Sequence, residues 1–306
     1  MKKSLLIFDR LTKRIEEEKI YGGFFLKCVY SSHWFSKILG ALFLPFICRI
    51  PFSSKWYGKI QKTSISRTKI KPFIEKFNVD SSEFLDPVDS FNSFNDFFIR
   101  KLKPSAREIV QDEDVLVMPA DGRYLASQNI YEHSDLWVKG KRINFKELLG
   151  GDEELIKRFD WGSMLLARLA PVDYHRFHFP CDCIPGEPRL INGPLFSVNP
   201  IALKRNINYL SQNKRVITLL ETEDFGTIAY IEIGATYVGS IHQTYIPGKE
   251  YKKGDEKGYF SFGGSSLILL FEHDKILFEH DLIEHTDQGF ETKALMGQIM
   301  ALDNHI

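Results

Sequence analysis

Cysteine is scarce in this chain: four in 306 residues, at Cys28, Cys48, Cys181 and Cys183. They are too few and too irregularly placed for a disulfide framework, which points to a reducing, intracellular setting. Long hydrophobic runs are also missing. The longest uncharged apolar stretch, Ile38 to Cys48, has 11 residues with Pro45 inside it, whereas a spanning helix needs about 20. At the N-terminus, Met1-Lys2-Lys3 is followed only by Leu5 to Phe8 before Asp9 and Arg10, so no secretory signal is expected. The most informative absence is acid. From Lys19 through Ile74 there are ten Lys or Arg and no Asp or Glu. Because the whole chain has a formal net charge of zero, the remainder is net negative, and that asymmetry is itself a functional signal.

The basic stretch is also aromatic. Tyr21, Phe24, Phe25, Trp34, Phe35, Phe43, Phe46, Trp56 and Tyr57 are interleaved with its cations, and helical spacing is plausible between the breaks at Pro45 and Pro51. Rings at headgroup depth with cations facing anionic lipid suit a segment that lies in the bilayer interface. The plainer alternative is a helical subdomain with solvated charges. Nucleic-acid binding has no supporting module. Residues 1–74 are therefore expected to be a basic, aromatic, helical membrane-associating segment, and residues 75–306 a β-rich catalytic domain. Within the latter, Ser93 or Asn95 could cap a short helix. Val115 to Met118, Met164 to Leu169, Arg215 to Leu220, Thr227 to Ala235, Tyr237 to Ile241 and Leu267 to Phe271 read as strands. Lys146 to Phe159 and Pro200 to Leu210 read as helices. The fold class expected is α+β, with a mostly antiparallel β core.

Three clusters could carry chemistry. Pro119-Ala-Asp121-Gly122 puts a carboxylate at a turn, where it can bond its own backbone or face another loop. Asp173-Tyr174-His175-Arg176-Phe177-His178-Phe179-Pro180-Cys181-Asp182-Cys183 allows metal, acid–base or structural readings for its histidines. A metal is disfavoured, since four ligands within nine consecutive residues wrap poorly into a tetrahedron. Gly263-Gly264-Ser265-Ser266 opens onto the strand Leu267 to Phe271. It could be an ordinary turn or an approachable hydroxyl, but the Gly-x-Ser-x-Gly nucleophile elbow is absent because Leu267 takes the last position.

Taken together, these clusters resemble a known family. Met118-Pro-Ala-Asp-Gly122, Tyr174-His-Arg-Phe-His-Phe-Pro180, Gly193-Pro-Leu-Phe-Ser-Val-Asn199, Ile231-Glu-Ile-Gly-Ala235 with Val238-Gly-Ser240, and Phe262-Gly-Gly-Ser-Ser266 follow the order and spacing of the phosphatidylserine decarboxylases. Phe94 to Leu102 and Pro104 to Arg107 also resemble that family, so the similarity spans about Phe91 to Ile306. The basic zone corresponds by position rather than by motif.

The resemblance implies a self-processing proenzyme. Ser265 would attack the Gly264 carbonyl, turning the amide into an ester, and elimination would split the chain into 1–264 and 265–306. Ser265 would then become an N-terminal pyruvoyl group, the covalent cofactor. His178 would be the base that takes the Ser265 proton and Asp121 would fix its imidazole, a serine-protease arrangement turned on its own backbone. The pyruvoyl carbonyl would form a Schiff base with the amine of phosphatidylserine and act as electron sink for the loss of carbon dioxide. His175 would deliver the proton to the former alpha carbon. Here Gly263-Gly264-Ser265-Ser266 stands where Leu-Gly-Ser-Thr is commonest, and the adjacent serines leave open which of them attacks.

Cys181 and Cys183 read as structural, with no metal expected. The implied partners are phosphatidylserine in an anionic membrane and the two cut chains held together as a heterodimer, with a higher oligomer possible. The implied location is peripheral, on the cytoplasmic face of the cell membrane. The alternative is a lipid-directed serine hydrolase using Asp121, His178 and Ser265 without self-cleavage. A third reading is a catalytically silent membrane-bound interaction protein.

Overall fold

The computed structural model describes residues 5–18, 30, 58–130, 136–138, 141–235, 240–261, 263 and 265–304. The strands in chain order begin with β1 (Leu6–Asp9), β2 (Arg14–Glu17), β3 (Val115–Val117), β4 (Gly122–Ser127), β5 (Leu136–Val138) and β6 (Lys141–Ile143). They continue with β7 (Ser163–Leu169), β8 (Arg176–His178), β9 (Ile184–Pro185), β10 (Arg189–Ile191), β11 (Arg215–Glu221) and β12 (Thr227–Gly234). The last are β13 (Ile241–Gln243), β14 (Glu256–Phe260), β15 (Ser265–Phe271), β16 (Ile276–Phe278), β17 (Glu291–Ala294) and β18 (Ile299–Asp303).

Ten of these form one sheet in the order β10-β11-β12-β15-β7-β4-β17-β1-β2, with β9 also paired to β11. All of its pairings are antiparallel except β1 with β17. Two three-stranded sheets, β13-β14-β8 and β16-β18-β3, pack nearby. The chain is thus α+β, as expected.

The central strands are buried on both faces, and the pleat decides what each face meets. In β15, Ile268 and Leu270 join a core with the helices Phe145–Leu148, Glu153–Phe159, Pro200–Arg205 and Tyr209–Gln212. Leu267, Leu269 and Phe271 face the other way, into a core with Phe177 of β8, Phe260 of β14 and Ile276 of β16. The same alternation runs through β7 and β12. Helices therefore cover one face, and the small sheets with helix His280–Asp287 cover the other. A third, mostly phenylalanine core (Phe73, Phe84, Phe91, Phe94, Phe97, Phe98, with Ile70) sits beside the small-sheet side. Ser93 caps helix Phe94–Phe98 by accepting from Asp96 N–H.

Several expectations change. Residues 1–74 are not one helical segment: the first described residues form the hairpin β1–β2, part of the ten-stranded sheet. Alternation in Ile7–Asp9 puts Ile7 inward, a two-residue period too short to stand out next to the long basic run. Residues 58–61 and Ile70–Phe77 are helical, whereas 19–57, apart from Tyr30, lie outside the described residues. The helix expected over Lys146 to Phe159 is two helices, because Gly150 and Gly151 take positive φ between them (72° and 75°). That over Pro200 to Leu210 also breaks, at Asn206. The strand expected over Tyr237 to Ile241 falls mostly outside the described residues, with β13 beginning at its end.

Candidate functional site

Ser265 opens β15, in register with Gly234 of β12 and Leu169 of β7. As an odd-numbered residue of that strand it faces the small-sheet side with Leu267 and Leu269, whereas Ser266 faces the helices. The pleat thereby separates the two adjacent serines. Ser265 Oγ lies 3.4 Å from His175 Nδ1, whereas Ser266 Oγ is buried with no hydrogen-bond partner among the described residues. Gly264 and Phe262 lie outside the described residues. Gly263 holds φ of 136°, a conformation that favours glycine.

The two histidines diverge. Three residues apart on a helix they would share a face, but residues 175–178 run extended, and three residues along extended chain reverse the side. His175 points inward, wholly buried, with Phe98 stacked on its ring at 3.9 Å and 24°. Its Nε2 lies 3.0 Å from the Ala170 carbonyl oxygen. A carbonyl only accepts, so Nε2 carries the proton and Nδ1 presents a lone pair to Ser265. The His178 ring points the other way, where Tyr174 stacks on it at 5.7 Å and the Asp121 charge reaches it; the backbone N–H of His178 donates to Pro119 O at 2.8 Å. His178 Nδ1 is buried without a hydrogen-bond partner among the described residues.

Asp121 is held elsewhere. Arg107 donates to it from Nε at 2.9 Å and from Nη2 at 2.6 Å, and Met296 N–H donates at 2.9 Å. Its negative charge and that of Glu83 raise the Arg107 guanidinium pKa, although burial opposes them. Asp121 and Ser265 each make no hydrogen bond to His178 among the described residues. The structure therefore brings Ser265 and His175 together, and sets Asp121 and His178 on a neighbouring loop and strand.

Cys181 and Cys183 are core residues with free thiols, and burial raises Cys183 to about 12. Among the described residues no cluster of three or more His, Cys, Asp or Glu side chains could hold a metal. Phe98, Ala170 and Arg107 complete the surroundings. Phe98 and Arg107 lay in family-like stretches without a role assigned to either, and the Ala170 backbone carbonyl leaves no signature in a single sequence.

Burial lowers both imidazoles, His175 to about 3 and His178 to about 4. An unfolded chain takes up protons at these positions near pH 6.5, and the folded one does not until far lower. Their contribution is therefore complete above about pH 6.5 and is lost as pH falls towards the folded values. Between pH 7 and 5 the loss is roughly 2 kcal/mol for each histidine. Urea unfolding across that range should show this slope, and replacing His175 and His178 with Gln should flatten it; an unchanged slope would mean the imidazoles are not buried neutral.

With this geometry, a buried hydroxyl faces a neutral imidazole just after a glycine pair. A model of a protein family described as phosphatidylserine decarboxylase matches residues 94–301. A phosphatidylserine decarboxylase proenzyme of Chlamydia pneumoniae is 48% identical over 290 residues, 95% of this chain and 94% of the relative. Proenzymes of the same name from Chlamydia muridarum and Chlamydia caviae are each 46% identical, covering 96% and 97% of this chain and 95% and 97% of their own lengths. Motif order and near full-length similarity agree: the chain belongs to the phosphatidylserine decarboxylase family.

Proposed function

We propose that this protein decarboxylates phosphatidylserine to phosphatidylethanolamine, using a pyruvoyl group that it makes from Ser265 by cutting its own backbone after Gly264. The observation that carries the reading is the wholly buried Ser265 hydroxyl 3.4 Å from an imidazole nitrogen whose lone pair faces it. A hydrolase nucleophile must meet a substrate carbonyl from outside. With 0% exposure the hydroxyl of the uncut chain is placed to meet its own backbone, and the lipid amine needs access only once the cut has separated Gly264 from Ser265.

In the cut, Ser265 Oγ bonds to the Gly264 carbonyl carbon and its proton passes to a histidine. The Gly264–Ser265 C–N bond breaks, giving an ester and a free Ser265 amine. Loss of the Ser265 alpha proton then expels the Gly264 carboxylate. The resulting enamine hydrolyses with water to a pyruvoyl group and ammonia. In the finished enzyme that group is the electron sink for decarboxylation.

The resemblance assigns the proton transfer in the cut to His178 backed by Asp121. The distance favours His175, since the contact is long for a hydrogen bond but catalytic contacts often tighten only in the reacting state. Both histidines, with Asp121 and Ser265, belong to the proposed machinery.

The pieces should stay together. β15 is paired along seven residues with β12 and along seven with β7, both in the large chain. Five wholly buried apolar side chains, Leu267 to Phe271, contribute roughly 10 kcal/mol by burial alone. The small chain also supplies β17, between β4 and β1, and β18, between β16 and β3.

Access to the lipid is proposed to come from the basic, aromatic stretch between Lys19 and Ile74, with the protein held peripherally on the cytoplasmic face. No described helix is long and apolar enough to cross a membrane. Purified protein on phosphatidylserine–phosphatidylglycerol vesicles should form phosphatidylethanolamine and release carbon dioxide in equal amounts. Replacing Lys27, Lys37, Arg49 and Lys55 with Gln should weaken co-sedimentation more than tenfold at low salt, at about 1 kcal/mol per cation. Turnover of detergent-dispersed substrate should survive. No phosphatidylethanolamine from the unaltered protein would refute the function; unchanged sedimentation of the variant would refute only the anchor.

A further inference from the structure

Five charged side chains meet in the interior behind Ser265. Arg123 pairs with Glu18 (Nε to Oε1, 2.5 Å) and with Asp173. Arg168 Nη2 lies 2.6 Å from both Glu18 and Glu291. Each of these side chains is only 5–7% exposed, an arrangement that persists in proteins when every member is paired. Asp173 does more than balance charge. Its Oδ2 accepts from Ala170 N–H at 2.6 Å, while its own N–H donates to the Ala170 carbonyl at 2.9 Å. Residues 170–173 are therefore closed from both sides. Arg100 Nη2 braces the far side by donating to Val172 O at 3.1 Å and Asp173 O at 3.2 Å. The Ala170 carbonyl fixed in this way is the group that faces His175 Nε2.

We propose that Asp173, clamped by Arg123, is a positioning residue for His175. By closing the 170–173 turn it holds the Ala170 carbonyl where it accepts the Nε2 proton, and so keeps the Nδ1 lone pair on Ser265. A free imidazole exchanges its proton between the two nitrogens, and only one of the two forms can take a proton from Ser265. The clamp also reaches Glu18, the residue that joins the β1–β2 hairpin to the basic stretch, so the hairpin's seating bears on the orientation of His175. This rests on the reading that Ser265 cuts its own backbone with a histidine as base.

The test has two arms. In a Ser265→Ala chain, which stays uncut, nitrogen NMR of labelled His175 should report one tautomer with the proton on Nε2. Adding Asp173→Ala should move the Nδ1 resonance towards the average of both tautomers. In chains that retain Ser265, Asp173→Ala should slow self-cleavage at least tenfold. Asp173→Asn, which keeps an acceptor for Ala170 but loses the ion pair, should fall between. An unchanged tautomer in the Ala variant overturns the proposal. If that variant does not fold, an Asn variant with the original tautomer and rate overturns it. A shifted tautomer with an unchanged rate keeps the positioning and removes His175 as the base, so the two readings fail separately.

Discussion

Ser265→Ala should leave the protein as a single chain of 306 residues with no decarboxylase activity, whereas the unaltered protein should resolve on a denaturing gel into 1–264 and 265–306. The small piece should resist Edman degradation, because a pyruvoyl group has no amine. The expected effect is total, since one serine supplies both the nucleophile of the cut and the carbons of the cofactor. Ser266→Ala is the internal control. Ser266 faces the helices, with its hydroxyl away from His175, so cutting should persist and leave the same 265–306 fragment mass less one oxygen. A chain that stays uncut yet decarboxylates phosphatidylserine would sink the proposed mechanism.

His175→Ala and His178→Ala should differ, and the pattern assigns their roles. If the 3.4 Å contact marks the base, His175→Ala stays uncut while His178→Ala still cuts. If His178 with Asp121 is the base, the pattern reverses, and the cut His175→Ala enzyme turns over poorly. Loss of a positioned acid or base typically costs ~10²–10⁴-fold in rate, so minutes become many hours or more on a gel. The rate of cutting against pH provides a second check. An imidazole lowered by burial to about 3 or about 4 stays neutral at pH 5. Cutting should therefore run flat from pH 8 to pH 5, without the inflection near 6.5 that an exposed histidine would give. Such an inflection would show that the base is solvated when it acts.

The strands that build the site were legible because their signal is local. Leu267 to Phe271 is an unbroken apolar run, as a strand buried on both faces requires, and Met164 to Leu169 and Thr227 to Ala235 read the same way. The Asp-Gly turn and the Gly-Ser junction were legible as motifs whose chemistry needs those residue types. Pairing between distant residues was not legible. Glu18 and Arg123 are more than a hundred positions apart, and nothing in either neighbourhood marks them as partners. The buried pair of Lys257 Nζ and Glu232 Oε1, at 2.5 Å with Tyr230 and Tyr245 over the ammonium, likewise reads in sequence as two ordinary strand charges. The β1–β2 hairpin escaped notice for a similar reason: a four-residue strand earns its place through pairing with β17, which the chain supplies almost 300 residues later.

By itself, the sequence determined the α+β class, the family and the small set of residues from which the chemistry must come, because turn chemistry, strand periodicity and motif order are written in neighbouring residues. Tertiary structure decided which of those residues meet. The pleat of β15 turned Ser265, and not Ser266, towards His175. The extended run 175–178 then sent the two imidazoles to opposite sides, one to Ser265 and one to the Asp121 loop. Both outcomes depend on the direction of a side chain from a strand whose register is set by β7, β12 and β14, and that direction exists only once the sheets have formed.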